Sequence, residues 1–118
     1  MTSFLTIKSR SDFLAARRSP SFSSPSFLLV RHSRSDDGEM RFGFTVTKKM
    51  GGAVVRNRIK RRLREGVHEA LKSLAETGFR DPGVDYILIA RRGAASREFQ
   101  LILDEVKRGL LRLSQQPK

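Results

Sequence analysis

The chain has 118 residues, enough for one ordinary domain and too few for two, and 38% of them are hydrophobic, with eight Phe as bulky core filling. Its 24 Lys and Arg against 12 Asp and Glu leave a net charge of +12, which points to a polyanionic partner, nucleic acid first and an anionic membrane second. The absence of cysteine excludes disulfides, thiolate catalysis, zinc ribbons and iron–sulfur clusters.

The opening MTSFLTIKSRSDF lacks the apolar run of a secretory signal, and no stretch approaches the roughly 18 apolar residues needed to span a bilayer. A cytoplasmic protein with one domain over residues 1–118 is expected, without membrane association. Ser9-Arg10-Ser11-Asp12 has the spacing of a capping box ahead of Phe13, Leu14, Ala15 and Ala16, and predicts a short helix ending near Arg17 or Arg18. The Ser/Pro run from Ser19 to Pro25 reads as a loop. Phe27 to Val30 reads as a buried strand, and Met40 to Thr47 alternates like a second one. The turn signal Asp36-Asp37-Gly38 between them predicts a β-hairpin.

After Gly51-Gly52 a long helix is expected from about Ala53 to Ala75, then a loop through Gly78 and Gly83, and an apolar strand from Val84 to Ala90. A last helix starting near Ser96 aligns Phe99, Ile102, Leu103, Val106, Leu110 and Leu113 on one stripe, and Ser114 to Lys118 are expected to fray. The order α-β-β-α-β-α predicts an α+β two-layer sandwich with helices on one sheet face.

The segment from Lys48 to Glu65 holds eight cations and one acid, and no Asp or Glu occurs from Met40 through Arg64. Helical periodicity puts Val55, Ile59, Leu63, Ala70 and Leu74 on the core stripe and Asn57, Lys60, Arg61 and Arg64 on the opposite face. Arg58 and Arg62 flank the core. Like charges on adjacent turns cost about 0.2–0.5 kcal/mol per pair. Cations in the first turn also oppose the helix dipole, so Arg56 and Arg58 give the fold nothing there. A phosphate at that helix start would gain from the dipole, the free N–H groups and the guanidinium forks, with Lys48, Lys49 and the glycine loop extending the surface. Asn57 can read a base edge or a 2′-hydroxyl, or it can bond its own backbone.

A protein active site is hard to build from this chain. Only two histidines are present. His32 beside Ser33 and Asp36 is a local trio rather than an assembled triad, and His68 extends the outer face of the long helix. Phe42 and Phe44 share one strand face and read as core, whereas Phe13 sits in a basic neighbourhood where it could stack on an unpaired base.

The stretch RFGFTVTKKMGGAVVRNRIKRRLRE, with Arg56-Asn57-Arg58 inside it, closely resembles the signature of the bacterial ribonuclease P protein component. Asp12-Phe13, the strand Asp-Tyr-Ile-Leu-Ile-Ala and the C-terminal helix fall in the expected order. The resemblance implies a ribosomal protein S5 domain 2-like fold, a mixed sheet with a left-handed βαβ crossover through the long helix. It implies that catalysis resides in a large RNA subunit using Mg²⁺, that the complex removes 5′ leaders from precursor tRNA and leaves a 5′-phosphate, and that no protein partner is required. By resemblance, Lys48, Lys49, Arg56, Arg58 and Arg62 would contact the catalytic RNA. Phe13, Arg17, Asn57, Lys60, Arg61 and Arg64 would hold the single-stranded leader. Relatives often carry an aromatic where this chain has Arg17, so leader binding here would lean on charge more than on stacking. The alternatives are a structural RNA-binding protein, such as a ribosomal component of the same fold, and a DNA-compacting protein.

Overall fold

A computed structural model describes residues 5–6, 19–34 and 36–115. The predicted first helix, with Phe13 and Arg17, lies outside them, as do the last three residues of the tail. Five strands form one mixed sheet: β1 (Leu5–Thr6), β2 (Ser21–Ser23), β3 (Phe27–Ser33), β4 (Arg41–Thr45) and β5 (Val84–Ala90), in the order β1-β4-β5-β3-β2. Two long helices, α1 (Ala53–Leu74) and α2 (Phe99–Ser114), complete an α+β architecture.

The predicted hairpin does not form. β3 and β4 are not neighbours, because β5 lies between them, antiparallel to β3 and parallel to β4. The Asp-Gly turn instead carries the chain over the N-terminal end of β5. Arg34 N–H donates to the Gly83 carbonyl (2.7 Å), and Gly83 N–H donates to the Gly38 carbonyl (2.6 Å). Gly83 has φ +74°, and a Cβ there would meet the Asp36 carbonyl oxygen at 2.3 Å, so only glycine fits beneath this crossing. The predicted Ser/Pro loop also needs correction, since Ser21–Ser23 pairs antiparallel with Leu28–Val30. A three-residue strand at the sheet edge tolerates prolines just outside it.

Alternation along the strands separates two faces. On one, Phe27, Leu29, Phe42, Phe44, Val84, Tyr86, Leu88 and Ala90 join the buried residues of both helices in the main core. On the other, Val30 and Ile87 form a small cluster with Leu28 and Ile89. α1 contributes Ile59, Leu63, Val67, Ala70, Leu71 and Leu74, and α2 contributes Ile102, Val106, Leu110 and Leu113. Two expected core positions differ. Val55 is 39% exposed, because the buried stripe of α1 begins only at Ile59. Phe99 is half-buried and opens α2, which begins three residues later than expected.

Arginine–carboxylate pairs lock the sheet margins. Arg31 binds Asp81 through two 2.8 Å bonds, and the Tyr86 hydroxyl donates to the same carboxylate. Asp85 is buried and accepts from Arg34 (2.6 Å) and from two nitrogens of Arg41 (2.8 Å each). Burial pushes the Asp85 carboxyl up, but the bonds from Arg41 and Arg34 outweigh it and hold the group below the usual carboxylate range.

Candidate nucleic-acid interface

The surface is built where β4 hands over to α1. Lys48–Met50 makes one tight 3₁₀ turn, with Met50 N–H donating to Thr47 (3.0 Å) and Gly51 N–H to Lys48 (3.2 Å). Gly51 then takes φ 135°, a region disfavoured for residues with a Cβ, and turns the chain into the helix. Lys48 and Lys49 stand exposed on this turn. Gly52 occupies the N-cap with no side chain to cap the helix, and no acid lies in the first turn. The first-turn N–H groups and their dipole therefore carry no anionic side chain of their own.

Asn57, Lys60, Arg61 and Arg64 are exposed along α1, and Arg58 is exposed beside them. Among the described residues, none of Lys48, Lys49, Arg56, Arg58, Lys60, Arg61 and Arg64 forms an ion pair. The contrast with Arg31, Arg34, Arg41 and Arg97, each matched to a carboxylate, is sharp. A hollow of about 270 Å³ is lined by Val46, Ala53, Arg56, Asn57 and Lys60. It brings Arg56 of the helix start together with Asn57 and Lys60 of the outward face, so the two expected surfaces adjoin. Arg64 lies over the Phe44 ring, 5.8 Å from its centroid, and this cation–π contact orients the guanidinium from below.

Arg62 stands apart from the others. It is half-buried, and its Nη2 donates to the Arg97 carbonyl, tying α1 to the turn that precedes α2. Its Nε is buried without a partner. Arg97 in turn donates to the buried Glu105 (2.6 Å), so Arg62 belongs to a structural chain of polar contacts. Two further features went unread in the sequence: the 84% exposure of Val54 and the Arg64–Phe44 contact.

The His32 trio is not assembled. His32 Nδ1 lies 3.2 Å from Ser19 Oγ, while Asp36 is bonded by Arg34 and the Gly38 N–H, which lower its carboxyl below the usual range. His68 is half-buried in a second hollow with Arg64, Glu65 and Glu69. Among the described residues no group of three His, Asp or Glu side chains is placed to hold a metal ion, and no helix is long and apolar enough to cross a membrane.

The ribonuclease P family profile matches residues 1–114. The ribonuclease P protein component of Caulobacter vibrioides is 44% identical over 112 residues, covering 94% of this chain and 72% of the relative. That of Erythrobacter litoralis is 44% identical over 106 residues, covering 90% and 83%. The solved RNase P protein of Staphylococcus aureus superposes with a TM-score of 0.70 at 25% identity, covering 96% of this chain and 97% of the other. On the family match and these identities, the chain belongs to the ribonuclease P protein family.

Proposed function

We propose that this chain is the RNA-binding subunit of a ribonuclease P ribonucleoprotein and assists a catalytic RNA in removing the 5′ leader from precursor tRNA. Family membership supports a role in tRNA 5′ processing together with RNA. The observation that carries the finer reading is the run of cations without carboxylate partners from Lys48 to Arg64, set around an uncapped helix start.

In this reading Lys48, Lys49, Arg56 and Arg58 grip phosphates of the catalytic RNA, aided by first-turn N–H groups. Arg62 contributes by fixing α1 against the turn at Arg97 rather than by reaching the RNA. Asn57, Lys60, Arg61 and Arg64 hold the single-stranded leader, Arg by forked phosphate bonds and by lying flat on bases. Phe13 and Arg17 would extend that contact. Mg²⁺, held mainly by RNA oxygens, which suit so hard a cation, would supply charge neutralisation and an activated water for phosphodiester hydrolysis. The protein raises the local affinity for substrate and relieves phosphate repulsion, and the cytoplasm, where tRNA is made, is the expected location.

The test is direct. Adding the protein to a bacterial ribonuclease P RNA at low Mg²⁺ should raise the rate of 5′-leader removal from a precursor tRNA. No stimulation over RNA alone would overturn the proposal.

A further inference from the structure

Four large hydrophobic residues are exposed among the described residues: Val54 (84%), Leu101 (41%), Val55 (39%) and Leu111 (38%). Val54 is the outlier. Val55 is accounted for by the fold, because its side chain lies against Gly51, where an added Cβ would meet it at 3.2 Å. Val54 belongs to neither apolar cluster. A β-branched residue is also a poor choice for an exposed helical position, where Ala is the better helix former. Neither local propensity nor packing explains a valine here.

Its neighbours suggest what does. Helical spacing puts Val54 on one stripe with Asn57, Arg58 and Arg61, at i+3, i+4 and i+7. Those two arginines have no carboxylate partner among the described residues, and Gly51-Gly52 before the helix leaves room for a second surface to approach. A single aliphatic side chain ringed by such cations fits a polyanion that also offers apolar surface. RNA does so through the faces of unstacked bases and the ribose edges of its shallow groove. One valine is too little apolar area to anchor a helix on a lipid surface.

We propose that Val54 is an apolar contact for the catalytic RNA, packing against an unstacked base or ribose beside the phosphates gripped by Arg58. The inference rests on the reading of the helix start given above. An apolar contact buries area without neutralising phosphate, so it changes affinity while leaving the dependence on salt unaltered.

The experiment measures affinity for a bacterial ribonuclease P RNA across a salt series, with thermal melts of each free protein. Val54→Ala should weaken binding roughly five- to twentyfold at every salt concentration, with an unchanged log–log slope. Its melting midpoint should stay level or rise, since Ala is the better helix former. Val54→Ile should keep wild-type affinity. Arg58→Ala should weaken binding and flatten the slope by about 0.7–0.9. If Arg58→Ala has no effect, the reading of the whole helix start fails. If Arg58→Ala behaves as stated while Val54→Ala binds within about twofold of wild type, or flattens the slope equally, only the apolar contact fails. With holoenzyme fully assembled, Val54→Ala should bind precursor and mature tRNA as wild type does. A loss confined to precursor would assign Val54 to the leader and overturn the choice of RNA.

Discussion

Arginines one position apart on α1 meet different surroundings. Arg62 donates to the Arg97 carbonyl, whereas Arg61 is exposed with no ion pair among the described residues. Arg62→Ala should lower stability by about 1 kcal/mol, read as a shifted urea midpoint, because it unties α1 from the turn before α2. Arg61→Ala should leave that midpoint within about 0.5 kcal/mol and instead weaken holoenzyme binding of precursor tRNA more than of mature tRNA. Equal losses for the two RNAs would count against the leader assignment. Tyr86 offers a second test, as the sole tyrosine of the chain. Burial pushes its phenol well above the ordinary value, and the bond to the Asp81 carboxylate adds to this. Its contribution to stability is thus complete below the unfolded value of about 10 and is lost as pH rises beyond it. Phenolate absorption should therefore appear only together with alkaline unfolding. A smooth titration near pH 10 in protein that keeps its circular dichroism would contradict the buried placement.

The elements differ in how plainly the sequence declares them. α1, β5 and α2 follow from periodicity to within a few residues, because their apolar stripes are long and bounded by glycine or loop signals. The outward face of α1 was equally legible, since excluding Asp and Glu over so long a stretch has no structural cause. Strand neighbours were not legible. Alternation in β3 and β4 says which face is buried and nothing about which strand stands alongside, so the turn between them looked like a hairpin. The partner of Arg62 was not legible for a related reason, as it is a backbone carbonyl in the turn before α2 that only the folded packing brings near. The packing of α2 can be probed through two glycines, Gly109 where it crosses the sheet and Gly66 where α1 crosses it. A Cβ at Gly109 would sit 2.7 Å from Leu29 Cδ2 and 2.9 Å from Phe22 Cδ2, whereas one at Gly66 would meet Ile102 Cγ2 at 3.3 Å and Val106 Cγ2 at 3.8 Å. Gly109→Ala should destabilise by about 1–2 kcal/mol by thermal unfolding, overpacking exceeding the gain in helix propensity. Gly66→Ala should be near neutral. Comparable losses at both positions would show that the two crossings are equally tight.

Across the whole molecule the acids are distributed unequally. Asp81, Asp85 and Glu105 are buried and matched to arginines at the margins of the sheet and α2, which leaves the excess positive charge concentrated on the loop and first turns of α1. Self-repulsion there disfavours the compact state until anions screen it. Adding sulfate at low ionic strength should raise helical circular dichroism and the melting midpoint, and more so than chloride at matched ionic strength. An identical response to both salts would reduce the effect to general screening.

The sheet order also governs how the chain comes into being. β5 is the last strand made, yet it occupies the middle of the sheet, joining β3 to β4. Until Ala90 has been synthesised those two strands have no shared neighbour, and the apolar stripe of α1 has no completed surface to cover. The most cationic segment of the protein thus emerges during translation before the structure that will hold it, within reach of the ribosome's own RNA. Folding is deferred to a late closing step governed by contacts distant in sequence.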